Sequence, residues 1–118
     1  MAKADRLERL DLRRMALEAD YRAALVTALE TTAGGSWGLF DHRNDRAARA
    51  RIAPVIAHLT ELAAEADGCR AQLGVEPFAL HRRFMAARGP VPSSAMGEPR
   101  QARVWLDQLT LEQDATEA

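Results

Sequence analysis

The sequence predicts an all-α fold, a long antiparallel helical hairpin in heptad pattern with two shorter C-terminal helices docked on it. Three observations carry that prediction. Two apolar series repeat at helical spacing over about three heptads each. Each series ends at a glycine, the residue that suits a helix stop. The 47% hydrophobic content rests mostly on Ala and Leu, with only two Trp, one Tyr and three Phe, a composition that favours helices over strands.

In the first element, Leu7, Leu10, Arg14, Leu17, Tyr21, Ala24 and Ala28 alternate three and four apart, which keeps one seam on one side of a helix predicted from about Asp5 to Ala33. Gly34 fits the left-handed position just past its end. The stretch GGSWGLFDH that follows, residues 34–42, is read as a corner with aromatic plugs. The helix 1 seam thins there to Ala24 and Ala28 and leaves room for Trp37 and Phe40, while Gly34, Gly35 and Gly38 give the backbone freedom to fold them inward.

The second element repeats the rhythm through Ile52, Val55, Leu59, Leu62, Ala66, Cys69 and Leu73, with Gly74 in the stop position. Pro54 lacks a donor and crowds the preceding turn, so the spacing predicts a short helical lead from Asp45, a bend near Pro54 and a straight run to Leu73. An antiparallel pairing of the two seams sets Leu7 near Leu73, Leu17 near Leu62 and Ala28 near Ile52. Arg14 then lays its stem on apolar surface and turns its head toward Glu18, Glu65 or Asp67.

A third helix is signalled by Glu76-Pro77, with proline at the favoured first position, and by Gly89 beyond its end; Phe78, Leu80, His81, Phe84 and Met85 make its apolar side. Residues 89–97 are rich in turn formers and predict an exposed loop. A fourth helix starts at Glu98-Pro99 and carries Ala102, Trp105, Leu106 and Leu109. Nothing separates two domains, so residues 1–118 are expected to form one helical domain with short disordered tails at about 1–4 and 112–118. The two C-terminal helices are too short to stand alone and must dock on the hairpin.

Sixteen basic residues against seventeen acidic ones leave a charge of −1, so no net field attracts nucleic acid or an anionic membrane. The single cysteine, Cys69, excludes an intramolecular disulfide, and the N-terminal MAKADRLERL lacks the apolar core of a signal peptide, so a cytoplasmic location is expected. No apolar run approaches the roughly 20 residues of a membrane span.

The chemistry-bearing residues do not converge. His58 and Glu61 stand three apart, but the inward positions beside them belong to Leu59 and Leu62, so they read as a flanking pair with no metal site. His81 reads as a core or boundary histidine, and Cys69 falls on the apolar seam where thiols are inert. No catalytic set, cofactor site or phosphate loop is predicted.

Two surfaces are candidates for binding. The first is the loop of Trp37, Leu39, Phe40, Asp41, His42 and Arg43, either through its apolar side chains or through the rim of Asp41, His42 and Arg43. The second is a basic patch of Arg43, Arg46, Arg49 and Arg51, diluted by Asp41 and Asp45. Small-residue strips, Ala16, Ala19 and Ala23 on helix 1 and Ala57, Ala64, Gly68 and Ala71 on helix 2, accept either the shorter helices or a second copy of the chain, and a homodimer is favoured. The expected function is a non-catalytic helical interaction or regulatory protein with an unidentified protein partner. The alternatives are a nucleic-acid-associated regulator using Arg43 to Arg51, and a small-molecule sensor or minor enzyme with a pocket between the hairpin and helix 3, lined by Tyr21, Trp37, His81 and Trp105.

Overall fold

The computed structural model describes residues 2–40, 46–88 and 97–117, and the side chains of these from residue 3 to residue 113. They form four helices: α1 (Ala2–Ala33), α2 (Arg46–Leu73), α3 (Ala79–Ala87) and α4 (Glu98–Glu117). No strand occurs among the described residues, and no helix there is long and apolar enough to cross a membrane. The residues expected in the exposed loop lie almost wholly outside the described ones, as do Asp41, His42, Arg43 and Asp45.

Helix α1 begins at Ala2, three residues before the expected start, and ends at Ala33 as its pattern predicts. The left-handed residue is Gly35, with φ of 122°, and not Gly34. The reason lies in the closing bonds. Gly34 N–H still makes a helical bond to Glu30 O, whereas Gly35 N–H turns to Thr32 O and Ser36 N–H reaches back to Thr31 O, the paired bonds of a Schellman stop. Gly74, with φ of 71°, closes α2 in the same way through Gly74 N–H to Ala71 O and Val75 N–H to Arg70 O.

Helix α2 runs unbroken through Pro54. The carbonyl that loses its donor belongs to Ala50, and both residues are exposed, so the missing bond leaves no buried carbonyl without a partner. Helix α3 starts at Ala79, two residues after the proline expected to open it. Asp67 Oδ1 accepts the Phe78 N–H at 2.7 Å and Arg70 donates to Glu76 O at 2.7 Å, so these two α2 side chains hold the approach to α3 in an extended path. Helix α4 opens at Glu98 as expected and continues to Glu117, taking in most of the stretch read as a tail.

Helices α1 and α2 lie antiparallel. Glu18 pairs with Arg70 toward one end, and Ala28 and Ile52 line one groove toward the other. Helix α4 packs on the C-terminal half of α1, where Arg103 donates to Ala33 O at 3.2 Å, while α3 rests on α2. The main core gathers Tyr21, Leu25, Leu29, Leu59, Phe84 and Leu109 with the loop residues Leu39 and Phe40. A second cluster, Leu17, Ala66 and Cys69 with Leu10 and Leu62 packed against it, joins α1 to α2.

The buried line of α1 departs from the expected seam beyond Tyr21. Leu25 and Leu29 are fully buried and Ala24 and Ala28 only partly, because α4 covers the flank to which a four-residue step turns. The small-residue strips on both helices remain exposed, and a Cβ added at Gly68 would touch nothing within 4 Å.

Arg14 pairs with Glu18 as foreseen and with Asp11, at 3.1 and 2.7 Å. Glu18 also receives two bonds from Arg70, at 2.7 and 2.9 Å. Burial alone would raise the Glu18 pKa, but the hydrogen bonds from Arg70 and then Arg14 outweigh it and leave the value lowered.

Candidate functional site

The segment from Gly34 to Phe40 crosses the end of the hairpin on a set of side-chain bonds to its backbone. Glu98, 1% exposed, accepts the Gly38 N–H at 2.9 Å on one oxygen and the Phe40 N–H at 2.6 Å on the other. Arg88 donates to Leu39 O at 2.7 Å, and Arg51 donates to Trp37 O at 2.9 Å. Four consecutive residues thus have a backbone group fixed by side chains of α2, α4 and the residue just after α3. Burial lowers the Arg88 pKa, with the charge of Glu98 opposing it.

Gly38 is required by space as well as by bonding. Its φ is 111°, and a Cβ there would lie 2.9 Å from the Ala48 Cβ and 3.0 Å from the Ala48 carbonyl oxygen. The loop therefore sits directly on the first turn of α2. Beyond it, Phe40 enters the core edge-on to Phe84 at 5.9 Å, and both contact Trp105.

The aromatic plug is thus half right. Leu39 and Phe40 are fully buried, but Trp37 is 48% exposed. Trp37 follows the Schellman turn and precedes the residue clamped against Ala48. Its backbone is fixed while its ring lies outside, against Gly97, where an added Cβ would come within 3.4 Å. An apolar anchor of Trp37, Leu39 and Phe40 together does not exist.

The basic patch is split. Arg46 and Arg49 are exposed on the first turns of α2, but Arg51 turns to the Trp37 carbonyl. Arg43, with Asp41 and His42, lies outside the described residues.

Tyr21 is fully buried and packs edge-on to His81, Trp105 packs on Phe84 and Phe40, and Trp37 is half exposed, so the structure does not bring the four expected lining residues together. The Tyr21 hydroxyl and His81 Nδ1 are hydrogen-bonded at 2.7 Å, Nε2 faces Thr60 Oγ1 at 3.5 Å, and Phe78 packs edge-on to Tyr21. Burial raises the Tyr21 pKa and so keeps the phenol protonated. Burial also lowers the His81 pKa, against an opposing pull from Asp67. This is a boundary histidine in a packed site. His58 and Glu61 are exposed, and no group of three metal-ligating side chains occurs among the described residues. Cys69 is buried.

An open groove lies elsewhere, in the crease between α1 and α2. It has a volume of about 400 Å³ and is bounded by Ala24, Ala28 and Thr31 on α1 and by Ile52, Val55 and His58 on α2, with Ser36 and Arg51 at the loop end. Arg51 therefore touches both the groove and the Trp37 loop.

Sequence reasoning missed Glu98 and Arg88. Glu98 read only as a helix start, and its partners lie about sixty positions away, a separation that no local pattern encodes. The one available signal was an acidic residue opening a helix after a glycine.

The fold defines an all-α, four-helix protein with a clamped inter-helix loop. No family model matches the chain, and neither curated proteins nor solved structures give a match.

Proposed function

We propose that the protein is a non-catalytic helical interaction protein that binds a protein partner through the surface around Trp37. The supporting observation is the division within the loop. Leu39 and Phe40 are buried and the backbone on either side is bonded, while Trp37 keeps 48% of its surface in solvent. A large aromatic side chain on fixed backbone loses little conformational freedom on binding, which is why such residues act as interface anchors.

Self-association belongs to the same proposal. Ala16, Ala19 and Ala23 are exposed beside Leu12 and Met15, which are 59% and 52% exposed, on a side of α1 that a second copy would cover. Sedimentation of the pure protein separates a second copy from a different partner.

A nucleic-acid-associated regulator is the alternative. Among the described residues it draws on Arg46 and Arg49, since Arg51 is engaged with the loop, and the chain's charge of −1 opposes it. Binding that weakens steeply with salt would support it.

The experiment is affinity capture from the native cell extract with wild type, Trp37→Ala and, as a control far along the chain, Leu111→Ser. The proposal expects a protein retained by wild type and the control and lost with Trp37→Ala. Identical capture by all three contradicts it.

A further inference from the structure

The α1–α2 groove has a distinct chemistry. Its floor is aliphatic, made by Ala24, Ala28, Ile52 and Val55, and among the described residues Arg51 is the only arginine or lysine that borders it. The threonine hydroxyls do not offer donors: Thr27, Thr31 and Thr32 each donate back along α1, to Ala23 O, Thr27 O and Ala28 O. Arg51 uses one nitrogen, Nη2, on the Trp37 carbonyl, and no carboxylate among the described residues pairs with it. A ligand here meets an apolar trough with a guanidinium and the Ser36 side chain at one end and the His58 imidazole at the other.

The dimensions narrow the class further. The volume of about 400 Å³ falls within the range of small-molecule sites, which are mostly apolar with a few orienting polar groups. From Ala24 to Thr32 the helix advances ~12 Å, the length of an extended chain of about eight to ten carbons. Because α2 runs antiparallel, Arg51 stands at the Thr32 end of that path and His58 at the Ala24 end.

We propose that this groove binds a linear medium-chain aliphatic carboxylate, with its chain on Ala28, Ile52 and Val55 and its head group on the Arg51 guanidinium. A carboxylate suits the planar donor fork of arginine. Arg51 also holds the Trp37 carbonyl, so the bound head group shares the cation that fixes the loop, and Trp37 emission reports its arrival. The proposal stands apart from the partner-binding reading, because its test uses the purified protein alone.

The test is calorimetric titration with decanoate, kept below its micelle concentration, while amide shifts are followed by NMR. The expected result is saturable one-to-one binding, with shifts centred on Thr31 and Val55. Hexanoate should bind roughly a hundredfold more weakly, having four fewer methylenes to bury. Arg51→Gln should weaken decanoate about tenfold, Arg51→Lys should recover part of that loss, and Ala28→Leu, which fills the trough, should abolish binding. No saturable binding to the folded wild type overturns the proposal, as does decanol binding as tightly as decanoate. Shifts centred away from the groove in wild type overturn it too, and that reading holds even if Ala28→Leu fails to fold.

Discussion

Glu98 and Gly38, sixty positions apart, are joined by a buried hydrogen bond of 2.9 Å from the glycine N–H to the glutamate side chain. With its second oxygen on the Phe40 N–H, Glu98 couples the start of α4 to the loop that closes the hairpin. Glu98→Ala leaves two buried donors without acceptors and is expected to destabilise the fold by about 2–4 kcal/mol. Glu98→Gln keeps one acceptor and should lose roughly half as much. Urea unfolding of the three proteins checks both values, and equal stability of Glu98→Ala and wild type would exclude the clamp.

Glycine substitutions should divide by position. Gly38→Ala meets Ala48 at 2.9 Å on a backbone that already has positive φ, so a loss of about 2 kcal/mol or more is expected. Gly68→Ala lies in mid-helix with nothing nearby and should gain about 0.5–1 kcal/mol. Thermal denaturation of the pair tests the loop geometry against a matched control.

The two loop aromatics should differ sharply. Phe40→Ala removes a fully buried ring and should cost about 3–5 kcal/mol. Trp37→Ala removes a half-exposed one and should cost about 1 kcal/mol. Comparable losses at both positions, measured by chemical denaturation, would return Trp37 to the role of a core plug.

Acid should weaken the protein in two stages. The folded-state pKa of His81 lies below its ordinary 6.5 because burial disfavours the cation. The unfolded chain therefore takes up the proton first, and stability present above 6.5 declines as pH falls below it. Glu18 is also lowered, from an ordinary 4.5, so the contribution of its arginine pairs is present above that value and lost as pH falls further. Melting temperature measured from pH 8 to pH 3 should fall in both windows, and His81→Gln should remove the first. A flat profile between about pH 7 and pH 5 in wild type would count against the half-buried neutral imidazole.

Much of the architecture was legible in the sequence because it rests on local periodicity. Leu17, Tyr21, Leu59, Ala66 and Cys69 lie on the predicted seams and are buried. The later positions of α1 were misplaced by one step, since α4, which selects Leu25 and Leu29, arrives from far along the chain. The same limit hid the loop's arrangement. Trp37 and Phe40 are equally apolar in sequence, and which one turns inward depends on Glu98, Arg88 and the first turn of α2. The exposed Ala and Gly strips likewise had identifiable spacing but no sequence mark of whether anything covers them.

The presentation of Trp37 by a clamped loop is tested most directly by acrylamide quenching of a single-tryptophan protein, Trp105→Phe, alone and with its captured partner. The account predicts ready quenching in the isolated protein and protection in the complex. A Trp37 shielded in the isolated monomer, or one equally quenched in the complex, would contradict it.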